Sequence, residues 1–101
     1  MSTDTVIWIA SMTKAITSVA AMQLVEQDKL ALDHRIADVL PELSAPQVLE
    51  GFNPSGEPRL RPAKRQITLR YLLTHTAGFV YDMFNAEMGR YMELKAIPGV
   101  P

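Results

Sequence analysis

The run from Val6 to Val25 constrains this chain more than any other feature, because it is almost wholly apolar and yet holds Ser11 and Lys14. It is about long enough to cross a bilayer. Lys14 and Gln23 interrupt it, as do the hydroxyls of Ser11, Thr13, Thr17 and Ser18. A lysine at the centre of a membrane span costs roughly 3 kcal/mol. The run therefore reads as soluble core, with no membrane as a partner. Its first part, Val6-Ile7-Trp8-Ile9-Ala10, is β-branched and aromatic, which predicts a buried strand or the end of one. From Ser11 to about Gln27 the period changes. Met12, Ile16, Val19, Met22 and Val25 recur at helical spacing, and alanines with Leu24 spread the apolar surface nearly all round. A helix of that kind expects cover on most sides. Asp28 is the expected left-handed stop.

Composition narrows the class. The chain has 101 residues, 48% hydrophobic and 21% charged, with a formal net charge of -1. Those values describe one globular unit, too short for a second domain. Near-neutral charge supplies no field for nucleic acid. Without cysteine, disulfides and thiolate zinc sites are excluded, and His34 and His75 lack metal-ligand spacing, so neither a metal nor another cofactor is expected. The start, Met1-Ser2-Thr3-Asp4, has no basic residue of the kind that opens a secretory signal, and the expected location is cytoplasmic.

Further along, Asp33 is the expected N-cap of a short helix near 34–40, running through Ile36, Val39 and Leu40 and closed by Pro41. Gln47 to Phe52 and Arg59 to Arg61 flank Asn53-Pro54-Ser55-Gly56, which predicts a hairpin near 47–62. Arg59, Arg61, Lys64 and Arg65 form a small basic cluster that reads as a solvated face with exposed ion pairs. Thr68 is the expected N-cap of a helix near 68–77 carrying Leu69, Leu72 and Leu73 and stopping near Gly78. Phe79 to Met92 holds a further candidate helix, and Ile97-Pro98-Gly99-Val100-Pro101 reads as loop.

Ser11 and Lys14 admit two readings. Residues three apart share a helix face, so Lys14 at the first turn directs its amine toward the Ser11 hydroxyl. In the first reading they are the polar edge of a core helix, an N-terminal serine and a snorkelling lysine. In the second they are a nucleophile and its base. Helix-start N–H groups have no intrahelical partner and can face a developing oxyanion, while desolvation of Lys14 favours its neutral, basic form. Ser-x-x-Lys alone does not decide, since it arises by chance in roughly one chain in three of this length.

Longer stretches add weight to the second reading. "IASMTKAITSVAAMQLVEQDKLALDHRIADVLPEL" followed by "ITLRYLLTHTAGF" resembles the serine β-lactamase-like hydrolases: class C β-lactamases, D-alanyl-D-alanine peptidases and family VIII carboxylesterases. The resemblance runs from about Asp4 to Asp82. Pro58 to Lys64 before Ile67-Thr68-Leu69, then Gly78-Phe79-Val80-Tyr81, looks most like the esterase branch. It implies an α+β fold, here a mostly helical piece of the β-lactamase/transpeptidase-like fold. It further implies that Ser11 is the acylated nucleophile and Lys14 its proton partner, acting on a small-molecule ester or a β-lactam, with D-alanyl-D-alanine peptidase specificity as the weaker alternative. His75 and Thr76 are expected to bond loose carbonyls or neighbouring loops at a helix end closed by Gly78, and Tyr71, Tyr81 and Tyr91 to pack, with the acyl pocket as the alternative place for Tyr81.

The family also uses a tyrosine motif and a strand with Lys-Thr-Gly or His/Trp-Gly-Gly. Neither follows here, and Tyr81-Asp82-Met83 fits neither the spacing nor the pattern. Asp28 replaces the glycine usual before the Lys-Leu pair. Residues 1–101 are thus expected to form a single partial domain, an internal piece of such an enzyme with weak or no activity by itself. The rival expectation is a non-catalytic helical module whose uncovered apolar faces drive self-association or union with a complementing chain.

Overall fold

The computed structural model describes residues 1–99. They fall into two compact units, Met1–Leu32 and the residues from Asp33 onward. The first unit is dominated by helix α1, Met12–Glu26. Its apolar periodicity and its alanines account for the helix, and its end is closed as the sequence predicts. Asp28 takes φ 55°, its N–H bonds the Val25 carbonyl at 3.1 Å, and the Lys29 N–H bonds the Leu24 carbonyl at 2.9 Å. This double bond pattern is a Schellman closure with aspartate where glycine is usual.

The segment Val6–Ala10 is not a strand. It runs without a hydrogen-bonded neighbour, and Val6, Ile7 and Trp8 are exposed. β-Propensity cannot make a strand alone, because each N–H and C=O in it needs a partner on an adjacent chain. No such neighbour is present among the described residues.

In the second unit, hairpin strands β1, Gln47–Phe52, and β2, Pro58–Pro62, pair antiparallel as expected. The register slips between Leu49 and Gly51, so Glu50 bulges, and Gly51 takes φ 128°. Asn53 organises the turn: its Oδ1 accepts from the Glu57 N–H and the Ser55 hydroxyl, both at 2.8 Å. Gly56 takes φ 87° there, a conformation available to glycine without strain.

Helix α2, Leu69–Leu73, is capped by Thr68, whose hydroxyl accepts from the Tyr71 N–H at 3.3 Å. It is shorter than the expected span to residue 77. The helix is closed at His75, φ 58°, three residues before Gly78, which also has a positive φ, 94°; the Thr76 N–H bonds the Tyr71 carbonyl at 2.9 Å. Helix α3, Ala86–Leu94, is capped by Asn85 and ends at Ala96, φ 52°. It reaches β1 through Arg90, whose guanidinium lies 4.1 Å from the Phe52 ring centroid. Ile97 to Gly99 are not helical, as expected; Val100 and Pro101 of the same predicted loop lie outside the described residues.

The short helix expected near 34–40 is replaced by two single 3₁₀ turns, Ile36–Asp38 and Pro41–Leu43. Asp33 does not cap either one. Its carboxylate instead receives both Nε (2.7 Å) and Nη2 (2.8 Å) of Arg70. The Ile36 N–H bonds the Ile67 carbonyl at 2.8 Å, and Arg35 and Thr68 form an isolated bridge. These tertiary bonds draw Asp33 and the Arg35–Ile36 backbone away from a regular helix start. Around them lie the buried apolar side chains of this unit: Ile36, Ile67 and Leu69.

Candidate active site

Ser11 stands at the N-cap of α1 with φ −67° and ψ −10°. A serine there ordinarily accepts from a backbone N–H two or three residues on. Its hydroxyl caps no N–H. The Lys14 Nζ donates to it instead, at 3.1 Å. The Lys14 N–H is meanwhile bonded to the Ser11 carbonyl at 3.1 Å. Side chain and backbone of Lys14 thus both close on Ser11, one helical turn apart, as the spacing predicts.

The approach to the pair is sharp. Ala10 takes φ 45°, and the Met12 N–H bonds the Ile9 carbonyl at 3.1 Å across it. A positive φ at the first central residue of such a turn favours glycine. The turn continues into bonds from Thr13 to Ala10 and from Lys14 to Ser11. The Ser11 N–H has no backbone partner among the described residues. A hydroxyl, an amine in contact with it and an unpaired N–H on the same residue are groups that acyl transfer can use.

The burial that would desolvate Lys14 is not supplied by the described residues. Ser11 and Lys14 are exposed, and no residue of α1 is buried. Met12, Ile16 and Val19 are each more than half exposed, at 68%, 63% and 61%. The apolar circumference that predicts cover is therefore present, and among the described residues the cover is not.

His75 closes α2 itself, in the place expected of Gly78, and its N–H bonds the Leu72 carbonyl at 3.2 Å. Tyr81 packs edge-on against Phe84 with ring centroids 6.2 Å apart. Two features escaped the sequence reading. Nothing in "WIASM" marks Ala10 as left-handed, since alanine ordinarily avoids that region. The Asp33–Arg70 fork joins residues 37 apart, beyond the reach of any local pattern. Its hydrogen bonds hold the Asp33 carboxyl below its ordinary value of 3.8, and Asp33 in return raises the affinity of Arg70 for its proton.

Comparison with known proteins places this geometry in context. The sequence model of the Beta-lactamase family matches residues 1–97. Acyltransferase mokF of Monascus pilosus is 45% identical over 92 residues, which are 91% of this chain and 22% of that protein. Lovastatin esterase of Penicillium rubens is 40% identical over 95 residues, 94% of this chain and 24% of that protein. Among solved structures, unliganded simvastatin synthase (LovD) of Aspergillus terreus superposes with a TM-score of 0.85 at 41% identity, covering 95% of this chain and 24% of the other. The mixed helical and two-stranded fold seen here is a piece of the fold that these enzymes share. The chain belongs to the beta-lactamase family, whose members include serine hydrolases, esterases and acyltransferases of the kinds just named. It spans less than a quarter of the length of these curated relatives.

Proposed function

We propose that this chain carries the nucleophile and base of an acyl-transferring serine enzyme, with Ser11 as nucleophile and Lys14 as base, within a single domain of which residues 1–101 are part. The observation that supports this is the Ser11 hydroxyl, withdrawn from helix capping and held 3.1 Å from the Lys14 amine. In the reaction, the Ser11 Oγ attacks the carbonyl of an ester while the Lys14 amine takes the hydroxyl proton. The tetrahedral intermediate collapses to acyl-Ser11, and Lys14 returns the proton to the departing alkoxide. Water or a second alcohol then attacks the acyl group, its proton passing by way of Lys14 to Ser11. Water gives an esterase; an alcohol gives an acyltransferase. The names of the relatives, a lovastatin esterase and a monacolin J acid methylbutanoyltransferase, favour an ester or acyl-group substrate over a β-lactam.

The test is a fluorophosphonate probe together with a nitrophenyl ester. Slow labelling confined to Ser11, with feeble turnover, is the expected result, because a tyrosine motif and a second oxyanion strand are not among these residues. Brisk turnover would overturn the incompleteness of the site. A second reading rests on the uncovered α1: the apolar face carrying Met12, Ile16 and Val19 makes the chain an association module, pairing with a second copy or a complementing chain.

A further inference from the structure

We infer that Lys14 is itself an acyl acceptor: an acyl group loaded onto Ser11 migrates to the Lys14 amine and stays there as an amide. This rests on the reading of Ser11 as nucleophile. The Lys14 Nζ lies 3.1 Å from the Ser11 Oγ. In an acyl-Ser11 ester the acyl carbon is bonded to that same oxygen, so it comes within about 3–3.5 Å of Nζ, the separation of a reacting pair. The amine lone pair adds to the carbonyl carbon, and a C–N bond forms. The C–Oγ bond then breaks, and the proton shed by the nitrogen returns to the Ser11 oxygen. Nothing is consumed besides the ester, and the amide is the more stable product.

Two features of the pair favour this path over release to water. A primary amine is a far stronger nucleophile than water, and α1 holds this one a single helical turn from the ester. The second feature is the freedom of the acyl group. Oxyanion donors fix the plane of an acyl carbonyl when they grip its oxygen from two sides. Here the unpaired Ser11 N–H is one such donor, and the strand motif that carries a second is not among these residues. One donor lets the acyl group turn about its ester bonds and present a face to Lys14. Both side chains are exposed, so no packed neighbour among the described residues opposes that turn. The reaction limits itself. Once its nitrogen is an amide, Lys14 no longer takes a proton from Ser11, and the chain stops after a single transfer.

The experiment treats the full chain with nitrophenyl acetate in mildly alkaline buffer and locates the acetyl group by mass spectrometry of tryptic peptides. Hydroxylamine strips an ester at Ser11 and spares an amide at Lys14, and trypsin does not cut after an acylated lysine. The ester at Ser11 is expected to appear first and to decay as the Lys14 amide grows. Lys14 is expected to exceed Lys29, Lys64 and Lys95 in acylation by roughly tenfold or more. Ser11→Ala is expected to bring Lys14 down to the level of those three lysines. The time course in the unsubstituted chain decides by itself if that variant does not fold. An ester at Ser11 with Lys14 no more acylated than the other lysines overturns the migration and leaves the nucleophile reading standing. Undiminished acylation of Lys14 in Ser11→Ala also overturns it, because the amine would then have met the reagent directly. No acetyl group at Ser11 and no excess at Lys14 overturns the nucleophile reading, and the migration with it.

Discussion

A serine at a helix start has two competing uses for its hydroxyl, and Ser11 takes the less common one. Capping contributes about 1 kcal/mol to helix stability, so surrendering it needs a compensating bond, which Lys14 supplies. Ser11→Ala should therefore leave α1 helical by circular dichroism while abolishing probe labelling; persistent labelling at another residue would refute the assignment. Lys14→Met should lower the labelling rate by roughly 10²–10⁴-fold, the usual worth of a placed general base. At the far end of the same helix, Asp28 bears the cost of a left-handed backbone without being glycine. Asp28→Gly is expected to raise the thermal midpoint, by about 0.5–1 kcal/mol of stability at one fixed chain concentration. A fall would show that the aspartate side chain contributes something beyond the closure. The helix stop at Asp28 and the Ser11–Lys14 contact were both legible from sequence, because each depends on neighbours within a turn. Ala10 was not, since its φ is imposed by the chain reversal and leaves no mark on residue type.

Elements with local causes were equally legible. The hairpin follows from two β-prone stretches around Asn-Pro-Ser-Gly, and α2 begins where Thr68 can cap it. Elements with distant causes were not. The expected helix near 34–40 gave way to 3₁₀ turns because Arg70, Ile67 and Thr68 compete for Asp33, Ile36 and Arg35. The strand expected at Val6–Ala10 failed for the opposite reason, want of a neighbour. The Asp33–Arg70 fork carries a pH dependence whose sign is fixed by its partner. Because Arg70 depresses the folded carboxyl below 3.8, the contribution of the pair is present at neutral pH and is lost as pH falls through the depressed value. Both side chains are exposed, so the effect is small. Asp33→Asn should lower the thermal midpoint at neutral pH and match the unsubstituted chain in strong acid; an equal gap at both extremes would point to a steric cause. In the hairpin, Asn53→Ala removes two side-chain acceptor bonds and should destabilise it by about 1–2 kcal/mol, measured as faster amide exchange at Asn53 and Gly56.

Over the whole molecule the distribution of apolar surface matters more than any single bond. Ile36, Ile67 and Leu69 are the buried apolar side chains among the described residues, whereas Val6, Trp8, Met12, Phe79, Met83 and Phe84 are all more than 60% exposed. A core of three aliphatic side chains is small against the conformational entropy lost in ordering a chain of this length. The long apolar helix was readable from sequence, but its cover was not, because cover depends on residues distant from the helix in sequence. The relatives, more than four times as long as the matched segment, have the material to supply it. Tested by itself, the chain should gain that cover from another copy, so that folding and association become one equilibrium. Helical ellipticity is then expected to rise with concentration through the micromolar range, in step with the mass seen by sedimentation, and Val19→Glu should depress both together. A monomer whose helicity does not change with dilution would mean that α1 holds its shape uncovered, and would sink the association reading while leaving the Ser11–Lys14 chemistry untouched.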